Sequence, residues 1–410
     1  MQFGSGEAVG RLCTLGLYAF TTRRFGVEVF GSVALAQTVA NYLTYSSDQG
    51  YKLIGARLVA RNRNLGPHLI RFIVPRRVFL ATLACLCGCI YALWGPMPAA
   101  SRTITAVFAI AVIPSSFALD WILWGMGSFN LLSGWKALVS VAATGIAIAG
   151  MLLTAHPLWS ISVGNLVAAV VGSALLWRFA SAQWNLRSSE ISPVEVEMVR
   201  SELRTPRVLT LGTSNLLNLV FTNSDLLLLA AMTNATEVGH YSSATKLLFV
   251  IFSAYYLLTN TLYPAFSRIM DIHKLKKYLL LALGIMFVLG SLLAAFIAYF
   301  SQQILSLMYG PGFDAHRLLQ ILVIALPFEL GVSLLATALA SQGYESILLR
   351  CLLMASVLNV SLNLHFIPRY GATAAAWSTV ASYGTLFGLY VFFLCRLGPR
   401  EVTFCTEVTV

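Results

Sequence analysis

Residues 278–300, YLLLALGIMFVLGSLLAAFIAYF, decide the fold class. The stretch carries no Asp, Glu, Lys or Arg. As a helix rising about 1.5 Å per residue it is about 35 Å long, enough to cross a hydrocarbon core of about 30 Å. Its apolar residues run continuously, with none of the period-two alternation of a barrel strand, and lipid accepts only helices or closed barrels. Similar runs recur along the 410 residues. They predict helices near 3–21, 28–48, 78–95, 103–125, 135–154, 157–178, 207–232, 239–264, 278–300, 316–340, 347–366 and 372–395. The expected fold is therefore an all-α integral membrane protein of about twelve transmembrane helices. Composition agrees: charged residues make up 10% of the chain against about 25% in soluble domains, too few to cover a water-facing surface.

The net charge of +11 reads as a topological signal rather than as a nucleic-acid footprint. Of the 27 Lys and Arg, 20 fall in alternate loops and the C-terminus on one side and five on the other, so both termini are expected to be cytoplasmic. Arg23 and Arg24 run against the rule. One inner loop is a basic collar of Lys52, Arg57, Arg61, Arg63, Arg71, Arg76 and Arg77, suited either to anionic headgroups or to setting topology alone. The outer loops are short, the longest running from Ser301 to Asp314. The start of the chain is unlike a secretory signal, with Glu7 and Arg11 where the apolar core should be, and reads as a first helix beginning almost at Met1.

The chain divides into residues 1–178, a six-helix lobe; 179–206, a cytoplasmic linker with a short amphipathic helix capped at Ser192-Pro193-Val194-Glu195; and 207–410, a second six-helix lobe. A repeat supports this division. Pro114 and Pro327 follow the similar runs AIAVIP and LVIALP 213 positions apart, Gly127 and Gly343 are 216 apart, and Phe30 and Tyr241 are 211 apart. Two pseudo-symmetric lobes of this kind place a substrate site in a central cavity between them.

Ionisable side chains inside spans cost about 2.5–3.5 kcal/mol each at the helix centre, so each requires a reason. Here they are Glu7, Arg11, Asp48, Asp120, Asp225, Lys246 and Glu329. The first span sets Glu7, Arg11, Thr14 and Tyr18 on one face; the second sets Gln37, Asn41, Tyr45, Asp48 and Lys52. The seventh carries Asn215, Asn218, Thr222 and Asp225, and the eighth Ser242, Lys246, Ser253, Tyr256 and Asn260. The expected substrate-binding set is Glu7, Arg11, Tyr18, Gln37, Asn41, Asp48, Lys52, Asn218, Asp225, Lys246 and Asn260, facing one wet cavity. Interhelical hydrogen bonding is the competing reading for the uncharged members. Glu7 and Arg11 can also neutralise each other as an i, i+4 pair, and Asp48 and Asp120 lie near helix ends. Asp225 and Glu329 are candidates for ion coupling.

No GxxxxGK[ST], HExxH or GxSxG occurs, so phosphate-loop hydrolysis and the common hydrolase sites have no support. Cys85, Cys87 and Cys89 do not converge on a metal at helical spacing and read as packing residues. No cofactor, metal site or catalytic residue is expected, and Asn234-Ala235-Thr236 is an isolated sequon.

Four stretches resemble the polysaccharide-transporter branch of the multidrug/oligosaccharidyl-lipid/polysaccharide exporters, which includes the O-antigen flippases. They are GEAVGRLCTLGLYAFTTRRFGVEVFGSVALAQ at 6–37 with DQGYKLIGARLVAR at 48–61; DWILWGMGSF at 120–129; NSDLLLLAAMTNATEVGHYSSATKL at 223–247; and LNVSLNLHFIPRYGATAAAWSTV at 358–380. The resemblance implies two six-helix lobes with the first, second, seventh and eighth helices lining a lateral cleft. It also implies an undecaprenyl-diphosphate-linked oligosaccharide, an O-antigen or exopolysaccharide repeat unit, moved by alternating access across a bacterial inner membrane. Arg11, Asp225 and Lys246 fall on matching positions; Glu329 matches none. The expected partners are that lipid-linked glycan and membrane lipids, with a glycan polymerase as a candidate and no nucleic acid. An ion-coupled multidrug exporter on the same fold is the nearest alternative. A membrane-embedded glycan polymerase or ligase is the alternative of another class, and it would need a larger outer loop than this chain has. A lipid II flippase would carry two further helices.

Overall fold

The computed structural model describes residues 3–184, 193–203, 205–269, 271–311 and 313–396. The side chains of a few residues within helices, Glu7 and Asn260 among them, lie outside that description, as does Ser192 of the expected capping box. All regular structure among the described residues is helical.

The chain begins with α1 (Phe3–Phe25), α2 (Val27–Asp48) and the short α3 (Tyr51–Arg61). There follow α4 (Gly66–Trp94), α5 (Ala99–Ser116), α6 (Asp120–Gly125), α7 (Phe129–Thr154) and α8 (Pro157–Gln183). The linker helix α9 (Pro193–Glu202) starts at the proline, as the sequence led us to expect. Beyond it come α10 (Thr205–Met232), α11 (Ala235–Thr261), α12 (Tyr263–Ser267), α13 (Ile272–Tyr299), α14 (Ser301–Tyr309), α15 (His316–Leu322), α16 (Leu326–Ser341) and α17 (Glu345–Arg396).

Eight of the described helices are long and apolar enough to cross a bilayer. The 52-residue α17 counts once among them, although Gly371 (φ 55, ψ −137) turns its backbone between the two rods expected from sequence. The turn is fixed by Glu237 of α11, whose Oε2 accepts the Ala372 N–H at 3.0 Å. Helices α1, α2 and α11, of 23, 22 and 27 residues, lie outside the eight and carry three of the four polar stripes; the fourth stripe is on α10, which is among the eight. Many large apolar side chains of α4, α7 and α13, such as Phe79, Leu153 and Leu292, are exposed, as lipid-facing residues must be.

Three departures from the sequence reading have local causes. The fourth expected span, 103–125, breaks into α5 and α6. Pro114 lies in the last turn of α5, and the carbonyls around the break are taken by side chains. Ser173 donates to Pro114 O at 2.8 Å, Trp177 to Phe117 O at 2.9 Å and Arg77 to Ala118 O at 3.0 Å. The third span begins twelve residues early, at Gly66, because the basic collar is itself helical: α3 turns away from α2 through Gln49 and Gly50, both at positive φ, and buries Ile54, Leu58 and Val59. Finally, the loop expected from Ser301 to Asp314 contains α14, which buries Leu305 and Tyr309.

In packing, α1 lies on α7, α7 on α8, and α5 between α2, α4 and α8; beyond the linker, α17 packs on α10 and α16, and α16 on α13. Helix α2 joins the two sets by packing on both α10 and α11. Its two ends are seated by glycine. At one end a Cβ on Gly31 would lie 2.0 Å from Ala235 O, and one on Gly239 2.3 Å from Val27 O. At the other, a Cβ on Gly212 would lie 2.8 Å from the Gln49 Cα. Backbones approach this closely only where a side chain is absent.

Candidate functional site

Arg11 of α1 and Lys246 of α11 both lie where these two helices face each other. On α1, the Arg11 guanidinium carbon lies 4.9 Å from the centroid of the Phe249 ring of α11. On α11, Lys246 Nζ lies 5.8 Å from the centroid of the Tyr18 ring of α1. Each helix thus presents one cation and one ring to the other. The spacings permit it, since Lys246 and Phe249 are three residues apart and Arg11 and Tyr18 seven, so each pair shares a helix face. Both contacts fall within the roughly 6 Å over which a cation is drawn to a ring.

Tyr18 is 2% exposed, and its hydroxyl donates to Gln37 Oε1 on α2. Its ring meets Phe30 edge-on at 5.0 Å, and Phe30 meets Tyr309 at 5.9 Å. Asn41, a turn beyond Gln37, is half-buried, and Asn218 is exposed on α10. Tyr18, Gln37 and Lys246 therefore form one group, with Arg11 about two turns from Tyr18 on the same face of α1 and over Phe249.

The structure draws the other charged candidates away from that group. Asp48 pairs with Arg77, Nε to Oδ1 at 3.2 Å. Lys52 pairs with Asp120 at 3.1 Å to either oxygen. Arg77, assigned by sequence to the solvated collar, is 1% exposed and spans Asp48 and the Ala118 carbonyl. Arg61 reaches Glu202 of α9 at 3.5 Å, tying the linker helix to α3. Arg23, the exception to the charge rule, donates to the carbonyls of Met308 and Leu307 at the end of α14. That is the end of a helix where a cation is favoured.

Asp225 also stands apart. It is 7% exposed and enclosed by α10, α11 and α17. Its Oδ2 accepts from the Tyr241 hydroxyl and from Thr379 Oγ1 at 3.4 Å, and its Oδ1 accepts the Leu226 N–H at 2.8 Å. Neighbouring Ser224 donates to Asn359 Oδ1 at 3.1 Å, which also accepts from Asn363 at 3.0 Å. The Glu329 carboxyl on α16 lies beside Tyr383, which is within electrostatic reach of Asp225 as well. The two carboxylates offered for coupling thus belong to one buried polar cluster, separate from the cations. Sequence reasoning did not assign Tyr241, Thr379, Tyr383 or Phe249 to a site. An aromatic or hydroxyl residue in an apolar span carries no mark that separates contact with a charge from plain packing. No group of three or more His, Cys, Asp or Glu suited to a metal occurs among the described residues.

The fold is shared with membrane transporters of known structure. A multidrug resistance MATE family transporter of the MOP superfamily, in its inward-facing conformation, superposes with TM-score 0.65 at 16% identity, over 94% of each chain. An outward-facing conformation of such a transporter gives 0.60 at 18%, over 96% of this chain and 93% of that one. The lipid II flippase MurJ, inward closed, gives 0.64 at 15%, over 96% and 87%. No curated protein matches. The MatE family profile matches residues 210–365, and that of the polysaccharide biosynthesis proteins matches residues 4–270, the region holding both cations and the Asp225 nest. With 267 of its 410 residues in that match, and a multi-pass helical fold of the MOP type around it, the chain belongs to the polysaccharide biosynthesis protein family.

Proposed function

We propose that this protein is a flippase that moves an oligosaccharide on an undecaprenyl diphosphate carrier across a bacterial inner membrane by alternating access. The observation that carries the reading is that Arg11 and Lys246, from opposite helix sets, each lie over a ring of the other's helix. Two cations at a seam within hydrocarbon suit a ligand with a doubly charged headgroup, since a diphosphate offers charge-assisted hydrogen bonds that lipid tails cannot. Gln37 and Asn41 beside them offer amide groups to a glycan. The family match supports a role in polysaccharide biosynthesis. The six-plus-six division at residues 179–206 and cytoplasmic termini complete the reading, and Asp225 with Glu329 form the coupling element, exchanging a proton or cation as access alternates.

The test is complementation of a deletion strain by Arg11→Ala and Lys246→Ala. Loss of surface glycan with accumulation of its lipid-linked precursor is expected for both, at unchanged membrane levels of the protein. Full complementation by both variants refutes the role given to the cations. An ion-coupled multidrug exporter is the second reading, favoured by the MatE match over residues 210–365. It predicts protection against cationic drugs and no precursor accumulation on deletion.

A further inference from the structure

We infer that Phe249 and Tyr18 are positioning residues that hold Arg11 and Lys246 at the seam, ready for an anionic headgroup, and release them when it binds. The inference rests on the flippase reading above and deepens it by assigning a role to two rings.

Long cationic side chains inside a membrane otherwise snorkel toward the nearest interface. Here each is bound instead to a ring on the facing helix: Arg11 to Phe249 at 4.9 Å and Lys246 to Tyr18 at 5.8 Å. The rings are held differently. Tyr18 is fixed by its hydrogen bond to Gln37 and its edge contact with Phe30. Phe249 is 57% exposed, so its main described contact of chemical consequence is the guanidinium. The exposure of Phe249 is that of a lipid-facing ring; what sets it apart is its alignment with a cation of the other helix set.

A ring attracts a cation through its quadrupole alone, more weakly than a diphosphate does through paired, charge-assisted hydrogen bonds. The headgroup therefore displaces the rings and takes both cations. Before that exchange, the crossed pairs tie α1 to α11 and keep the charges at the seam; the headgroup must break them, so each contact weakens its binding by what the contact is worth. After it, this tie between α1 and α11 is gone, and the seam is held by the packing of α2 on α10 and α11. Binding of the headgroup and loss of this tie become one event.

The test uses the full chain in lipid nanodiscs with farnesyl diphosphate as the probe and farnesol as the uncharged control, read by calorimetry. Phe249→Leu keeps an apolar side chain and removes the ring contact that the headgroup must break; it is expected to tighten farnesyl diphosphate binding about fivefold. Phe249→Tyr restores the ring and is expected to lie within about twofold of the unaltered protein. Tyr18→Phe keeps the ring over Lys246 and is expected to do the same, while farnesol binding is unchanged throughout. Unaltered or weakened diphosphate affinity in Phe249→Leu, or a gain in Phe249→Tyr equal to that in Phe249→Leu, overturns the inference. Arg11→Ala and Lys246→Ala separate the two levels. If they keep full diphosphate affinity, the flippase reading of the cations fails; if they lose it while Phe249→Leu leaves affinity unaltered, only the role of the rings fails.

Discussion

Replacing Gly31 by alanine tests how far the contact between α2 and α11 closes one end of the molecule. The added Cβ would lie 2.0 Å from Ala235 O and 2.8 Å from Gly239 N, both backbone atoms that cannot rotate aside. A carbon needs about 3.3 Å from a carbonyl oxygen, so the helices must separate by about 1.3 Å at this point. Overpacking of this kind costs about 1–3 kcal/mol, which lowers the population of the closed seam about 5- to 150-fold relative to forms in which the helices have parted. The assay is alkylation of a cysteine at Ala34, one turn along the same face of α2 and fully buried, in a chain whose native cysteines are replaced. Gly31→Ala should raise its rate of labelling by a membrane-impermeant maleimide in that proportion. Gly284→Ala, where an added Cβ meets nothing within 4 Å, is the control and should not. An unchanged labelling rate in Gly31→Ala would refute the claim that glycine seats this seam.

Three other perturbations address the remaining polar clusters. Arg77→Met leaves Asp48 facing no guanidinium and should cost about 3–5 kcal/mol in denaturant unfolding; adding Asp48→Asn should recover most of the loss. Tyr241→Phe removes a hydroxyl donor to Asp225 and should destabilise the fold by about 1–3 kcal/mol, whereas Tyr383→Phe, acting on Glu329, should leave the Tyr241 effect additive only if the two carboxylates are uncoupled. At the exposed start of α13, the N–H groups of His273 and Lys274 hold the Asp271 carboxylate below its ordinary range. A depressed folded value means that its stabilisation is complete above the unfolded value of about 3.9 and is lost as the pH falls through the folded one. Asp271→Asn should therefore flatten stability against pH on the acid side, and an unchanged acid limb would show that the cap contributes nothing.

Much of the helical plan can be read in the chain because hydrophobic runs and breakers act locally. Gly26 precedes α2 and Gln49-Gly50 ends it, so its expected limits of 28–48 fall within one residue of those observed. The break after Pro114 was not legible, because it depends on Ser173, Trp177 and Arg77 arriving from other helices to satisfy the freed carbonyls. The site divides in the same way. Arg11 and Lys246 stand out in sequence because charge in a hydrocarbon span demands a partner. Their partners do not stand out, because Phe249 reads like any lipid-facing ring. Asp48 and Lys52 share a stripe with Gln37 on paper, yet Arg77 and Asp120, distant in the chain, take them up. Periodicity gives the direction of a side chain and says nothing of which distant ion reaches it first.

The seating of α2 at both of its ends has a mechanical consequence. A stiff rod clamped at two places cannot slide free of one clamp while the other holds; it must swing. Its pivot is then the clamp that holds, Gly31 with Gly239 at one end or Gln49 with Gly212 at the other, and Gln37, bonded to the Tyr18 hydroxyl between them, is carried through the arc.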